Sequence, residues 1–273
     1  MFVARTLSDL RDAVGELRAS RGALALVPTM GALHDGHRAL VRAAVTSGAA
    51  TVTSIFVNPL QFGATEDISR YPRDEAGDLA LLEANGCALV WMPDVATMYP
   101  DGDATAIDVG GPAENWEGAA RPGHFRGVAT VCAKLFGQVR PDRAYFGEKD
   151  WQQSQVVRRM VSDLLLPLSI IGVETVRERD GLAMSSRNRF LSATERARAP
   201  LLHAALTAAA RGEHTLSDAR RRLNDAGFEV DYFALVDGPT LTEIAAPQPG
   251  ARLIAAARLG SVRLLDNVAA VAA

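Results

Sequence analysis

The chain has little of what would commit it to an unusual environment. Cys87 and Cys132 are its only cysteines in 273 residues, too few and too far apart for a disulfide framework or a zinc knuckle. Each is expected as a small buried apolar side chain in a reducing compartment. No apolar run reaches membrane-spanning length before a polar or charged residue interrupts it. Met1 to Ala4 lacks the basic region and apolar core of a signal peptide, so the expectation is a soluble, cytoplasmic protein with no membrane partner. Neither charge sign forms a long block: 29 basic and 32 acidic residues leave a net charge of -3, which argues against nucleic acid and for small-molecule partners. There is no GxxxxGK[ST] loop, which excludes a P-loop, and no GxGxxG, which weakens a dinucleotide-binding reading. No Ser/His/Asp set or activated cysteine is suggested by spacing.

What is present is length and alternation. The chain suffices for about two domains and buries about three quarters of its unfolded surface. Thr6 and Asp9 form a capping box ahead of Leu7, Leu10, Val14 and Leu17, spaced along one helical face. An apolar strand follows at Ala23 to Val27, then a helix with Leu40, Val41 and Ala44 inward. Thr51 to Val57 reads as a buried parallel strand, Asp74 to Ala84 as helix, Ala88 to Met92 as strand and Ala104 to Val109 as a short extended piece. Val128, Val131, Cys132, Leu135, Phe136 and Val139 lie on one face of a helix. Ala144 to Phe146 is a strand, Asp150 to Leu164 a helix and Ser169 to Val176 a strand. Residues 1–175 thus alternate as a Rossmann-like, doubly wound parallel sheet does, with ligands expected beyond the strands' carboxyl ends. Residues 176–273 read as a smaller α+β domain: helices around Glu195 to Ala210 and Ser217 to Ala226, then strands at Val230 to Val236, Leu253 to Ala257 and Val262 to Leu265. The proline- and glycine-bearing run 246–250 is read as a hairpin loop.

The polar motifs follow strand ends. Pro28 to His37 joins a strand to a helix through a glycine-containing turn with two histidines, where unpaired amides and the helix dipole favour phosphate. His34 and His37 are read as phosphate contacts, against a structural cap or a metal pair, because no third soft ligand is near. Asn58 to Phe62 offers Asn58 and Gln61, whose amides both donate and accept, against the alternative of an ordinary turn. Arg121 to Gly127 is a basic, glycine-flanked loop suited to an anion, or equally to solvent. Gly147-Glu148-Lys149-Asp150 opens another helix, with Lys149 as the cation, Asp150 as cap and Gln152 and Gln153 on the next turn. Met184-Ser185-Ser186-Arg187 supplies two hydroxyls and a guanidinium for a polyphosphate, against a solvated interdomain loop.

Taken in order, Val27 to His37, Ser54 to Phe62, Arg121 to Val128, Gly147 to Gln153 and Arg177 to Asn188 resemble the pantoate–β-alanine ligase family. That family lies within the nucleotidyltransferases carrying a His-x-Gly-His phosphate motif, and the resemblance runs from about Ala23 to Asn267. It implies two half-reactions: pantoate's carboxylate attacks the α-phosphate of ATP to give pantoyl adenylate and pyrophosphate, then the amine of β-alanine displaces AMP. It implies that Met30, Gly31, Ala32, Leu33, His34, Asp35, Gly36 and His37 line the ATP site, His37 being the family's usual proton donor. Adenylation by an ionised carboxylate has no obligatory proton to move, so an electrostatic role for His37 is expected instead. Gly147, Glu148, Lys149, Asp150, Val176, Met184, Ser185, Ser186 and Arg187 would hold ATP, with His34, His37, Lys149, Ser185, Ser186 and Arg187 supporting developing charge. Gln61 and Gln153 would bind pantoate, joined by Asn58 and Arg121. ATP chemistry implies Mg²⁺, for which Asp78 is the candidate carboxylate, since Gly77-Asp78 stands where an acidic pair is common. Leu60 and Trp151 replace other apolar side chains of the family pattern. A homodimer is the family's expected state. The rivals are an adenylyltransferase acting on a coenzyme precursor and a nucleotide-binding regulatory protein.

Overall fold

The computed structural model describes residues 1–63, 68 and 71–270. Strand β1 (Phe2–Ala4) leads through α1 (Leu7–Arg21) to β2 (Leu24–Thr29), α2 (Asp35–Thr46) and β3 (Ala50–Ile55). Helix α3 (Glu75–Ala84), β4 (Leu89–Trp91) and two short helices, α4 (Val95–Met98) and α5 (Glu117–Ala120), precede α6 (His124–Val139). Then come β5 (Arg143–Gly147), α7 (Trp151–Asp163) and β6 (Ser169–Val173). These six strands form one parallel sheet in the order β1-β4-β3-β2-β5-β6. From β2 the chain winds outward through β3 to β4, then returns to β2's other side with β5. The reversal falls between β2 and β5, and there the carboxyl ends of adjacent strands leave a crevice.

Period-2 alternation explains why both sheet faces are covered. Leu26 and Val52 pack with Leu10, Val128, Leu135 and Met160 of α1, α6 and α7. Ala25 and Val27 turn to Leu40, Val41, Ala44 and Leu82 of α2 and α3. The rest of the chain forms α8 (Ala193–Arg198), α9 (Leu201–Ala210), α10 (Leu216–Asp225) and an antiparallel sheet of β7 (Phe228–Val236), β8 (Arg252–Leu259) and β9 (Val262–Ala269). Phe233, Leu235 and Leu253 pack under Leu202, Leu206 and Leu223 of α9 and α10. The other face, with Tyr232, Ala234, Val236 and Ile254, packs against Trp116 and Trp151 of the larger part.

The Rossmann-like expectation and the smaller three-stranded unit are both observed. Four local differences have simple causes. β1 is three residues long, too short to show a pattern, and exists because it pairs with β4. Residues 104–109 contain no strand; Ile107 N instead donates to Thr130 Oγ1 at 3.0 Å. The helix expected from Glu195 to Ala210 is two, broken at Pro200, whose missing N–H and ring end the first segment. β6 ends at Val173 rather than Val176, and Glu174, Thr175 and Val176 border the crevice instead.

Candidate active site

The turn after β2 is built by its own buried polar groups. Thr29 Oγ1 donates to Ser54 O at 2.7 Å and accepts from Gly31 N at 3.3 Å. Gly31 (φ +83°) and Ala32 (φ +51°) are left-handed. A Cβ on Gly31 would stand 3.0 Å from Asp78 Oδ2 and 3.1 Å from Ile55 Cγ2, so a side chain there would be crowded as well as strained by the left-handed backbone. Asp78, 3% exposed, holds the strained segment by accepting Ala32 N on Oδ2 at 2.9 Å and Leu33 N on Oδ1 at 2.7 Å. Burial raises its pKa, and the two amide bonds pull the other way.

Helix α2 opens with a reciprocal cap made of imidazoles. His34 Nδ1 accepts Gly36 N at 3.1 Å, and His37 Nδ1 accepts His34 N at 3.3 Å. The ring centroids are 4.2 Å apart. With Nδ1 acting as acceptor in both rings, the neutral tautomer carries its proton on Nε2 and keeps one donor free of the cap. Burial, then the neighbouring His34 and Lys149 charges, lower the His37 pKa to about 3; burial and Lys149 lower that of His34. Both rings are therefore neutral donors at neutral pH. The cap and phosphate readings of these histidines are compatible, since the cap uses only one nitrogen of each ring.

On the other side of the reversal, β5 delivers Lys149 and Asp150, whose Nζ and Oδ1 are 3.3 Å apart. Burial alone would raise the Asp150 pKa, but Lys149, Arg187 and His124 bring it below the ordinary value. Beyond β6, Arg177 and Ala183 pair as a short bridge, and Met184 N donates to Val176 O at 3.0 Å. That hairpin delivers Ser185, whose Oγ accepts Arg187 N at 3.2 Å and starts the next helical turn. Tyr71 hydrogen-bonds Ser186, and burial raises the phenol's pKa.

A third wall comes from the turn after β3. Asn58 is fully buried: its Nδ2 donates to Gln61 Oε1 at 2.9 Å and Gly127 O at 3.1 Å, while its Oδ1 accepts Leu60 N and Tyr99 Oη. Gly127 allows this contact, because a Cβ there would lie 2.1 Å from Leu60 O. Gln61 O also meets His124 Nδ1 at 2.9 Å and Arg121 Nη2 at 3.3 Å.

These walls enclose a cavity of about 250 Å³ at the switch point. Of the residues expected there, Met30, His34, Gly36 and His37 line it from the first turn, and Gly147, Lys149, Asp150 and Gln153 from the β5 end. Val176, Met184, Ser185, Ser186 and Arg187 line it from the hairpin side, with Gln61 and Arg121 opposite. Seven expected residues stand elsewhere. Gly31, Ala32 and Leu33 shape the turn from behind, and Asp35 is exposed beside Arg38 at 3.2 Å. Glu148 turns away to Arg252 at 3.0 Å. Asn58 sits beneath Gln61, and Asp78 beneath the histidine turn. Both Asp78 oxygens are engaged by amides, and among the described residues no group of three or more His, Cys, Asp or Glu is placed to hold a metal. Asp78 thus braces the turn through both carboxylate oxygens, a role the sequence does not foresee. Tyr71, Glu117 and His124 also line the cavity, although the sequence does not single them out. His124 lies within the Arg121 to Gly127 motif, whereas Tyr71 and Glu117 carry no local signature.

A parallel sheet with two neutral imidazoles at a helix start, a lysine, two serines and an arginine around one switch-point cavity defines a Rossmann-like nucleotide-using enzyme. The family model for Pantoate-beta-alanine ligase matches residues 2–269, and the chain belongs to that family. It is 61% identical to the pantothenate synthetase of Granulibacter bethesdensis, over 98% of this chain and 96% of that one. It is 58% identical to that of Acidiphilium cryptum, over 98% and 100%. The crystal structure of the Thermus thermophilus enzyme is similar at a TM-score of 0.91, with 48% identity and coverage of 98% and 99%. A Francisella tularensis pantoate-beta-alanine ligase complexed with beta-gamma ATP and beta-alanine matches at 0.84, with 30% identity and coverage of 98% and 97%.

Proposed function

We propose that the chain condenses pantoate with β-alanine, using ATP, through a pantoyl adenylate formed in this cavity. A carboxylate oxygen of pantoate attacks the α-phosphorus, the bond to the β-phosphate breaks and pyrophosphate leaves. The β-alanine amine then attacks the acyl carbon, the acyl–phosphate bond breaks, AMP leaves and the amine proton passes to solvent. Adenylation is needed because a free carboxylate is a poor acyl donor.

The observation that carries the reading is convergence. Residues from five segments separated by tens to more than a hundred positions, including His37, Gln61, Arg121, Lys149 and Arg187, border one cavity. The Francisella enzyme's complex with beta-gamma ATP and beta-alanine supports ATP and β-alanine as ligands here. Lys149, Ser185, Ser186 and Arg187 would take the phosphates, with His34 and His37 donating from Nε2 as neutral rings. Gln61 and Gln153 would hold pantoate, with Arg121 beside them and Asn58 fixing Gln61 from below. Mg²⁺ would arrive on the ATP phosphates and water rather than on Asp78. Residues 1–175 then form the ATP- and pantoate-binding domain and 176–273 a lid, in a cytoplasmic homodimer.

An adenylyltransferase acting on a coenzyme precursor would leave Gln61 and Gln153 without a partner, and a regulatory protein would not require Lys149 and Arg187 beside them. The test is to incubate the protein with ATP, Mg²⁺, pantoate and β-alanine and to follow AMP and pantothenate. AMP forming no faster with both substrates than with neither would sink the ligase reading.

A further inference from the structure

Two segments that carry groups to the cavity, the Lys149 turn and the hairpin from Arg177 that leads into Ser185 to Arg187, come from different parts of the chain and touch a common strand. That strand is β9, at two consecutive buried residues, Asp266 and Asn267, exposed by 3% and 4%. Asp266 takes the Arg177 guanidinium on both oxygens, at 2.6 and 2.9 Å. Arg177 begins the hairpin that ends at Met184, so this pair anchors the loop carrying Arg187. Asn267 Nδ2 donates to two successive carbonyls, Glu148 O at 2.8 Å and Lys149 O at 3.0 Å. Its Oδ1 accepts Arg252 Nε at 2.8 Å, and Arg252 reaches Glu148 Oε2 at 3.0 Å and lies 3.6 Å from the centre of the Trp151 ring. The two residues are also joined to each other, Asn267 N donating to Asp266 Oδ1 at 2.7 Å. Only a primary amide offers two donors and an acceptor in one plane, which accounts for asparagine at this position. The Lys149 backbone is thereby gripped at its carbonyl, while its ammonium head meets Asp150 at the edge of the cavity.

We propose that Asp266 and Asn267 are a positioning pair for adenylation, fixing the separation of Lys149 and Arg187 across the cavity. The inference rests on the ligase reading above. Neither residue needs to touch the reacting atoms: a displacement of about 1 Å at a charge-stabilising group can cost on the order of a hundredfold in rate.

The experiment is a double-mutant cycle on single-turnover pyrophosphate release, with enzyme in excess over ATP, pantoate and Mg²⁺ present and β-alanine omitted. Asn267→Leu, of similar size but without the donors, should slow release about 10–100-fold in the parent protein and no more than about twofold in a Lys149→Ala background. Asp266→Asn should behave in the same way against Arg187→Ala. Equal losses in both backgrounds, or parent rates in the single variants, overturn the proposal. If circular dichroism shows that Asn267→Leu does not fold, Asn267→Ser enters the same cycle with the same criteria. No pyrophosphate from the parent protein overturns the ligase reading together with this inference, whereas parent activity with independent losses overturns this inference alone.

Discussion

Two hydrogen bonds decide what His34 and His37 contribute. Because each Nδ1 accepts a main-chain N–H, protonating either ring breaks the cap of α2. In the folded protein His37 resists protonation until about pH 3, whereas the unfolded chain takes up the proton near the ordinary value of 6.5. Stability from this group is therefore complete above pH 6.5 and is lost as pH falls from 6.5 toward 3, by up to about 1.4 kcal/mol per pH unit. Urea unfolding at pH 7 and pH 5 should show a smaller pH dependence in His37→Gln than in the parent. Nitrogen-15 spectra at pH 6 should place the His37 proton on Nε2; an imidazolium signal for His37 at that pH would contradict the neutral-donor role. Lys149→Ala should reduce adenylate formation by about 100–1,000-fold, the scale of removing one charge-stabilising donor, with an unchanged melting temperature. Parent turnover in that variant would remove Lys149 from the mechanism. These residue types are readable from the chain, since a His-x-Gly-His turn and a lysine at a helix start announce phosphate. Their tautomer is not, because it depends on which nitrogen the folded backbone engages.

Turns and helix starts are where single residues carry whole segments. Asp78, on α3, holds the left-handed Ala32 and its neighbour, so Asp78→Ala strands two buried amides and should cost about 2–5 kcal/mol in chemical denaturation. The Mg²⁺ concentration giving half-maximal activity in Asp78→Asn separates its roles: unchanged if Asp78 only braces the turn, raised about tenfold or more if it ligates the metal. On α6, Gly127 lets the turn bearing Gln61 approach closely. Gly127→Ala should push that turn away and raise the KM for pantoate, with a smaller effect on the KM for ATP. Equal increases in both constants would show that the damage is general. Helical patterns locate α1, α2, α3, α6 and α7, an apolar run locates β2 and a β-branched run locates β3. Along the chain Asp78 reads only as a spare carboxylate and Gly127 only as a loop flank, since their partners lie 45 or more and more than 60 residues away.

At the level of the whole molecule, the small sheet is attached to the large one by aromatic side chains and buried charge. Trp151 Nε1 donates to Gly238 O at 2.8 Å and Trp116 Nε1 to Leu241 O at 2.9 Å. Glu117, 5% exposed, is shared by Tyr232 Oη at 3.1 Å and the Arg263 guanidinium, which also binds Asp231. Glu117→Ala leaves the buried Tyr232 hydroxyl without its acceptor and Arg263 with Asp231 alone, so it should loosen the two sheets at a cost of about 1–3 kcal/mol. Hydrogen exchange should then rise in β7 before it rises in β2; uniform protection would show that the contact is dispensable. These four contacts of Trp116, Glu117 and Trp151 have no local signature, because each joins residues more than 80 positions apart.

The amino-acid order alone determined the alternation of helix and strand, the strand ends that carry polar motifs, and the chemical kinds of group available to a polyphosphate. Those follow from short-range rules of period, capping and turn chemistry. Tertiary structure alone decided which of the named residues reach the cavity and which brace it. Gly31, Asn58, Asp78 and Glu148 read as ligand contacts along the chain, yet each is turned to a partner within the protein and none lines the cavity. The order β4-β3-β2-β5-β6 brings the turn of His34 and His37 beside that of Lys149. Placement depends on how distant segments satisfy buried polar groups, a condition that exists only once the chain has folded.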